Sequence, residues 1–118
     1  MSLVFVYGTL KRGGSNYSHL AGQKFLGEAR TAPGFRLYEL DSYPGMIAFS
    51  NDRTGVTGEV WSVDADCLAQ LDLLEGIAEG LYRRERVPLL APFIGQNVEA
   101  YLYARSIEGR RDLGSTWA

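Results

Sequence analysis

Two parts of this chain carry residues that could do chemistry on a small molecule. The first is Tyr7-Gly8-Thr9-Leu10-Lys11-Arg12-Gly13, which follows the apolar run Leu3-Val4-Phe5-Val6. A strand that ends in a tight, glycine-containing turn directs several backbone N–H groups into one small space. Such a nest suits an anion, either a carboxylate or an oxyanion that develops during a reaction. The second part is Glu75, followed directly by Gly76. The spacing predicts a helix over residues 65–75, with Asp64 as N-cap, Asp66 complementing its first turn and Gly76 in the C′ position. At about 100° per residue, Asp64, Cys67, Leu68, Leu71 and Leu74 share one face of that helix. Glu75 falls on the same face, Asp72 lies at its edge and Leu73 points away.

A carboxylate there meets two effects of the same sign. Burial disfavours the charged form, and the helix C-terminus carries partial negative charge; both raise the pKa. A raised carboxyl pKa is what general acid–base catalysis near neutral pH requires. The pattern also fits a frayed surface residue before a helix-ending glycine, and Glu79-Gly80 repeats the dipeptide just downstream. Periodicity leaves both readings open.

Other chemistry is thinly represented. One histidine, His19, and one cysteine, Cys67, argue against a zinc site of ordinary ligand type and against an internal disulfide. His19 is expected at the surface or in a structural role, and Cys67 in the core on the helix face. Ser18 and His19 are neighbours, so on a helix they point apart. Gly8 to Ser15 reads G-T-L-K-R-G-G-S, close to a phosphate-binding loop, but Gly14 stands where that motif needs its lysine. Lys11 and Arg12 are expected as solvated rim charges. Glu59 shares a strand face with Trp61 and could be a second site carboxylate; a structural hydrogen-bonding role is the favoured reading.

Positioning these groups falls to a strand-rich chain. Strands are expected over residues 3–7, 24–31, 34–40, 46–49, 56–63, 84–90 and 98–103, with turns at Ala32-Pro33-Gly34 and Tyr43-Pro44-Gly45. In residues 56–63 the alternation puts Thr57, Glu59, Trp61 and Val63 on one face and Val56, Gly58 and Val60 on the other. A short helix over residues 15–20 joins the longer one. The polar tail from Ser106 ends near Trp117, which is expected to pack back. Many strands and two helices within 118 residues point to a single α+β domain spanning 1–118, with a compact, partly closed sheet. A net charge of −2 offers no electrostatic case for nucleic acid or an anionic membrane. No run approaches the ~18 apolar residues of a membrane span, and the N-terminal apolar run is too short for a signal peptide. A soluble, cytoplasmic protein is the expectation.

The ordered motifs resemble the γ-glutamylcyclotransferase-like family, especially its γ-glutamylamine cyclotransferase branch. They are Val4-Phe5-Val6-Tyr7-Gly8-Thr9-Leu10-Lys11-Arg12-Gly13, Tyr43-Pro44-Gly45, Val56-Thr57-Gly58-Glu59-Val60-Trp61-Ser62-Val63-Asp64, Leu71-Asp72-Leu73-Leu74-Glu75, Leu81-Tyr82-Arg83-Arg84 and Val98-Glu99-Ala100-Tyr101-Leu102-Tyr103. The resemblance implies an α+β fold built as a small mixed β-barrel with flanking helices. It implies that Tyr7, Gly8, Thr9 and Leu10 bind the γ-glutamyl part of a substrate. It implies that Glu75, framed by Leu71-Asp72, is the catalytic acid–base; Glu79 lacks that frame. Tyr82 is a candidate pocket wall. The implied reaction is intramolecular aminolysis of a γ-glutamyl amide to 5-oxoproline and a free amine, with no metal and no cofactor. The implied partner is a small γ-glutamyl molecule, with no nucleic acid and no membrane. The alternative on the same fold is a non-catalytic module that captures γ-glutamyl or other carboxylates.

Overall fold

The computed structural model describes residues 1–117. Eight strands form one mixed sheet: β1 (Ser2–Val6), β2 (Lys24–Arg30), β3 (Phe35–Glu39), β4 (Pro44–Ala48), β5 (Thr57–Val63), β6 (Tyr82–Arg86), β7 (Val98–Tyr103) and β8 (Asp112–Gly114). The order is β2-β5-β1-β7-β4-β3-β8, and β6 pairs with the free side of β7. Among the described residues β2 and β8 end this path, so the expected barrel is a curled half-barrel in an α+β fold.

The alternation of β5 divides the core as its sequence dictates. Trp61 and Val63 join a cluster with Val4, Val6, Leu10, Cys67 and Leu71. Val56 and Val60 join a second cluster with Phe5, Tyr7, Leu37, Met46 and Val98. The single α-helix among the described residues, α1 (Ala65–Leu74), covers the first cluster. Asp64 caps it by accepting from the Cys67 N–H at 2.8 Å. The helix ends one residue before Glu75, which is the C-cap, and Gly76 adopts φ +65° as a C′ glycine does.

Several expected boundaries shift, each for a traceable reason. Residues 15–20 form only a 3-10 turn, Tyr17–Leu20. Asn16 stands at its N-cap position but makes no side-chain capping bond, and its Nδ2 donates to Thr9 Oγ1 at 3.0 Å. Pro44 and Gly45 do not make the turn expected of them. They open β4, opposite Glu39 and Tyr38, where a proline at the first strand position costs no ladder bond. The strand expected over residues 84–90 is β6, two residues earlier, because its pairing with β7 begins at Tyr82↔Tyr103. It stops before Pro88, which has no N–H to donate; Leu89 then bridges to Thr31 instead. Leu74, expected on the buried helix face, is 38% exposed, whereas Cys67 and Leu71 are buried. The tail does fold back: β8 pairs with β3, and half-buried Trp117 packs on the second cluster.

The positions of β1, β4 and β7 create the site. Strand β7 pairs in parallel with β1 through Phe5↔Ala100, then with β4 at Met46↔Leu102. Between those contacts β1 leaves the sheet and the residue 7–13 turn begins. The Tyr7 hydroxyl spans the split. It donates to the Tyr101 carbonyl at 2.6 Å and accepts from the Met46 N–H at 3.1 Å.

Candidate active site

A cavity of about 40 Å3 opens at this split, lined by Tyr7, Gly8, Thr9, Leu10, Glu75 and Tyr82 among others. The turn after β1 and the end of α1, separated by more than sixty residues of sequence, thus meet at one point. A larger cleft of about 260 Å3 shares Thr9, Tyr43, Glu75 and Tyr82 with it and adds Ser15, Asn16, Ser42, Leu74 and Leu81. Glu75 is therefore common to a tight inner space and a roomier outer one.

The turn is shaped for this place. Its internal hydrogen bonds are donated by the N–H groups of Lys11, Gly14 and Asn16. Those of Gly8, Thr9 and Leu10 find no acceptor among the described residues. Gly8 is required by close approach rather than by an unusual backbone angle. A Cβ there would stand 2.7 Å from Pro44 Cγ, so a side chain would drive the turn off the β4 end. Thr9 is tied by its Oγ1 and by its carbonyl, which accepts from the Asn16 N–H at 2.9 Å.

Glu75 is half-buried, and burial pushes its carboxyl up to about 7. No hydrogen bond to its carboxylate contributes, so nothing offsets the lost hydration. Glu79, the second Glu of a Glu-Gly pair, stays exposed. Local sequence does not separate the two; the packing of α1 on the sheet does. The phenols around Glu75 remain protonated. Burial raises Tyr7, and the nearby Glu75 charge raises it further. Burial also raises Tyr82, with Tyr7 and Glu75 adding to the effect. The Tyr82 hydroxyl donates to the Pro44 carbonyl at 3.0 Å, which fixes it as a cavity wall.

Behind the helix end lies a polar frame. Asp72 Oδ1 accepts from the Tyr101 hydroxyl at 2.7 Å, and Asp72 Oδ2 pairs with Arg84. Arg84 also faces Glu99 at 3.3 Å. These bonds tie the last turn of α1 to β6 and β7 and so hold Glu75 over the cavity. Sequence reasoning places Asp72 only at the edge of a helix face, and has Tyr43 in a turn and Tyr101 in a strand without a site role. Their part depends on strand pairing, which no local signal encodes.

Two expectations about charges are corrected. Arg12 is not a free rim charge. Its backbone N–H and its Nε each donate to Glu59 at 3.0 Å, and its guanidinium lies 3.8 Å from the centre of the Phe25 ring. Lys11 donates to the Trp117 carbonyl at 2.8 Å. Glu59 has the structural bonding role expected of it, accepting also from Trp61 Nε1 at 3.2 Å. His19 is exposed and Cys67 buried, as expected. No helix among the described residues is long and apolar enough to cross a membrane.

Residues 4–118 match the family model described as gamma-glutamyl cyclotransferase, AIG2-like. A putative gamma-glutamylcyclotransferase of Vibrio cholerae is 45% identical over 85 residues, covering 72% of this chain and 70% of that protein. Gamma-glutamylaminecyclotransferase A of Danio rerio is 35% identical over 111 residues, covering 87% of this chain and 68% of its own. Among solved structures, a uropathogenic Escherichia coli-specific protein superposes with TM-score 0.79 at 30% identity, covering 97% of this chain and 91% of that one. An AIG2-like protein of Mus musculus superposes with TM-score 0.73 at 28% identity, covering 90% and 78%.

Proposed function

Because the chain belongs to the AIG2-like family of gamma-glutamyl cyclotransferases, we propose that it converts a γ-glutamyl amide into 5-oxoproline and a free amine, with Glu75 as general acid–base. The observation that carries this reading is a carboxyl raised to about 7, without a hydrogen-bond donor among the described residues, in a cavity that the turn at residues 8–10 also lines.

The substrate supplies its own nucleophile. Glu75 takes a proton from the α-ammonium; the freed amine attacks the γ-carbonyl carbon and a C–N bond forms. The carbonyl oxygen gains negative charge beside the N–H groups of Gly8, Thr9 and Leu10, which find no acceptor among the described residues. Glu75 then returns the proton to the leaving nitrogen and the amide C–N bond breaks; the ring nitrogen gives its remaining extra proton to the freed Glu75 carboxylate, and the neutral five-membered lactam remains. A group with pKa near 7 suits both transfers, because neither protonation state is strongly favoured at neutral pH. Holding amine and carbonyl in attack geometry supplies much of the rate, since oriented intramolecular reactions reach effective molarities of ~10⁵–10⁸ M. Tyr7 contributes as a cavity wall and through its bonds across the sheet split; its hydroxyl is already used on both sides. The amine leaving group points toward the outer cleft, which is where Leu74, Leu81 and Ser42 stand.

The test is 5-oxoproline release from a panel of γ-glutamyl amines and γ-glutamyl amino acids, with wild type beside Glu75→Gln. Wild type releases product, and the variant loses ~10³-fold in kcat, within the usual range for removing a general acid–base, while still binding. A variant within about threefold of wild type, below the usual loss on removing a general acid–base, would remove Glu75 from the mechanism. Binding by wild type without release from any compound would favour the capture module.

A further inference from the structure

We infer that Glu59 is a positioning residue for the N–H groups of the turn at residues 8–10. The inference rests on the cyclotransferase reading of that turn.

Glu59 lies on β5 opposite Val6, the last residue of β1 before the turn. Its carboxylate is nearly sealed from solvent, at 7% residue exposure, yet its bonds are directed mostly at the turn and not at the sheet. Oε1 accepts the Arg12 backbone N–H, and Oε2 accepts Arg12 Nε. The turn therefore leaves β5's neighbour at Val6 and is gripped again by β5 at Arg12. Five residues, Tyr7 to Lys11, are closed onto one residue of that strand, Glu59. A loop fixed at both ends loses little further entropy when a ligand fills it, and its donors need no reorganisation as charge develops. Trp61 Nε1 on Oε1 and the Phe25 ring under the Arg12 guanidinium hold the clamp from behind. Glu28, 3.7 Å from Arg12, adds a weaker outer contact. None of these groups lines the inner cavity. Glu59 thus acts on the reaction only through the turn.

A carboxylate is the side chain this geometry asks for. Both oxygens accept, and their donors are a backbone N–H, a guanidinium and an indole. Glutamine keeps the shape but turns one acceptor into a donor facing Arg12.

The experiment is steady-state kinetics and amide hydrogen exchange on wild type, Glu59→Gln and Arg12→Ala. Glu59→Gln lowers kcat by ~10–100-fold, the scale of a sub-ångström to 1 Å misplacement of catalytic groups. The pH midpoint set by Glu75 does not move. Residues 8–12 exchange faster, while β1 and β5 keep their protection. Arg12→Ala, at the solvent end of the clamp, speeds exchange in the same residues and lowers kcat less; combined with Glu59→Gln it adds little, as expected for one coupled unit. A Glu59→Gln variant that is less heat-stable but keeps kcat within about threefold, where a clamp requires at least the ~10-fold of misplaced groups, would show a merely structural residue and overturn the inference. A pH midpoint that moves would also overturn it, by making Glu59 part of the proton chemistry. Should Glu59→Gln not fold, unchanged exchange of residues 8–12 in Arg12→Ala overturns it. If wild type turns over no γ-glutamyl compound, the functional reading fails separately, and the exchange data still decide the clamp.

Discussion

Glu59 and Glu75 both stand beside the same turn, one bonded to Arg12 and the other sharing a cavity with residues 7–10, and the fold treats them in opposite ways. Glu59 is the more buried of the two, yet it accepts from the Arg12 N–H, Arg12 Nε and Trp61 Nε1. Glu75 is only half-buried and receives no such bond among the described residues, and its carboxyl rises to about 7. Burial by itself therefore does not make a carboxylate reactive. What matters is whether the donors that replace lost water are present. Where they are, the group is committed to holding structure. Where they are missing, the proton is held more tightly and becomes available for exchange near neutral pH.

The sharpest way to break this contrast is through proton chemistry. Loss of ~10³-fold in kcat on Glu75→Gln is the largest effect expected anywhere in the molecule. With Glu75 acting as base, its ionised form is the active one at the start of the cycle. Hence kcat/KM rises with pH through about 7 and flattens above it. A profile without an inflection between pH 6 and 8 would contradict the role.

Folding should show the same group independently of any substrate. The folded carboxyl titrates near 7 and the unfolded one near 4.5. Because the folded value is raised, the native state holds the extra proton. The stability this contributes is full below about pH 4.5 and is lost as pH rises through about 7. Wild type should therefore lose up to ~3 kcal/mol relative to Glu75→Gln between those limits, since each tenfold difference in proton affinity between the folded and unfolded chain is worth about 1.36 kcal/mol. Urea unfolding of both proteins at pH 4.5 and pH 8 measures it. Parallel behaviour of the two would mean that Glu75 is solvated.

Smaller effects test the other side of the site. Gly8→Ala sets a methyl 2.7 Å from Pro44 Cγ. It should cost ~1–3 kcal/mol, the usual scale of overpacking, and impair turnover by moving the donors. Unaltered stability and rate would mean the turn yields easily. Tyr7→Phe removes the bridge between the Met46 N–H and the Tyr101 carbonyl. A loss of ~1–3 kcal/mol in chemical denaturation is expected from the unsatisfied groups, with the pH midpoint of activity unchanged. A shifted midpoint would give Tyr7 a share in the proton transfer.

Some of this was legible along the chain. Asp64 and Gly76 mark the ends of α1 because capping is a local exchange of bonds within one turn of helix. The alternation of residues 56–63 names both core faces because side-chain direction in a strand has period two. The residue 7–13 turn announces itself through composition. The resemblance to a family then singles out Glu75, where periodicity alone leaves it beside an ordinary frayed end.

Other features depended on partners far away in sequence. The opening of β4 at Pro44 follows from pairing with β3, and the early start of β6 from register against β7. Arg12 looks like a surface charge because nothing near it in sequence could hold it; Glu59, forty-seven residues later, does. Asp72, Tyr101 and Arg84 form one frame only after α1, β6 and β7 meet. The amino-acid sequence by itself determined where the turn and the helix cap stand, since each depends on neighbours a few residues away. Tertiary structure decided which carboxylate would be given donors and which would be denied them, because desolvation and hydrogen bonding are set by whatever the fold brings alongside.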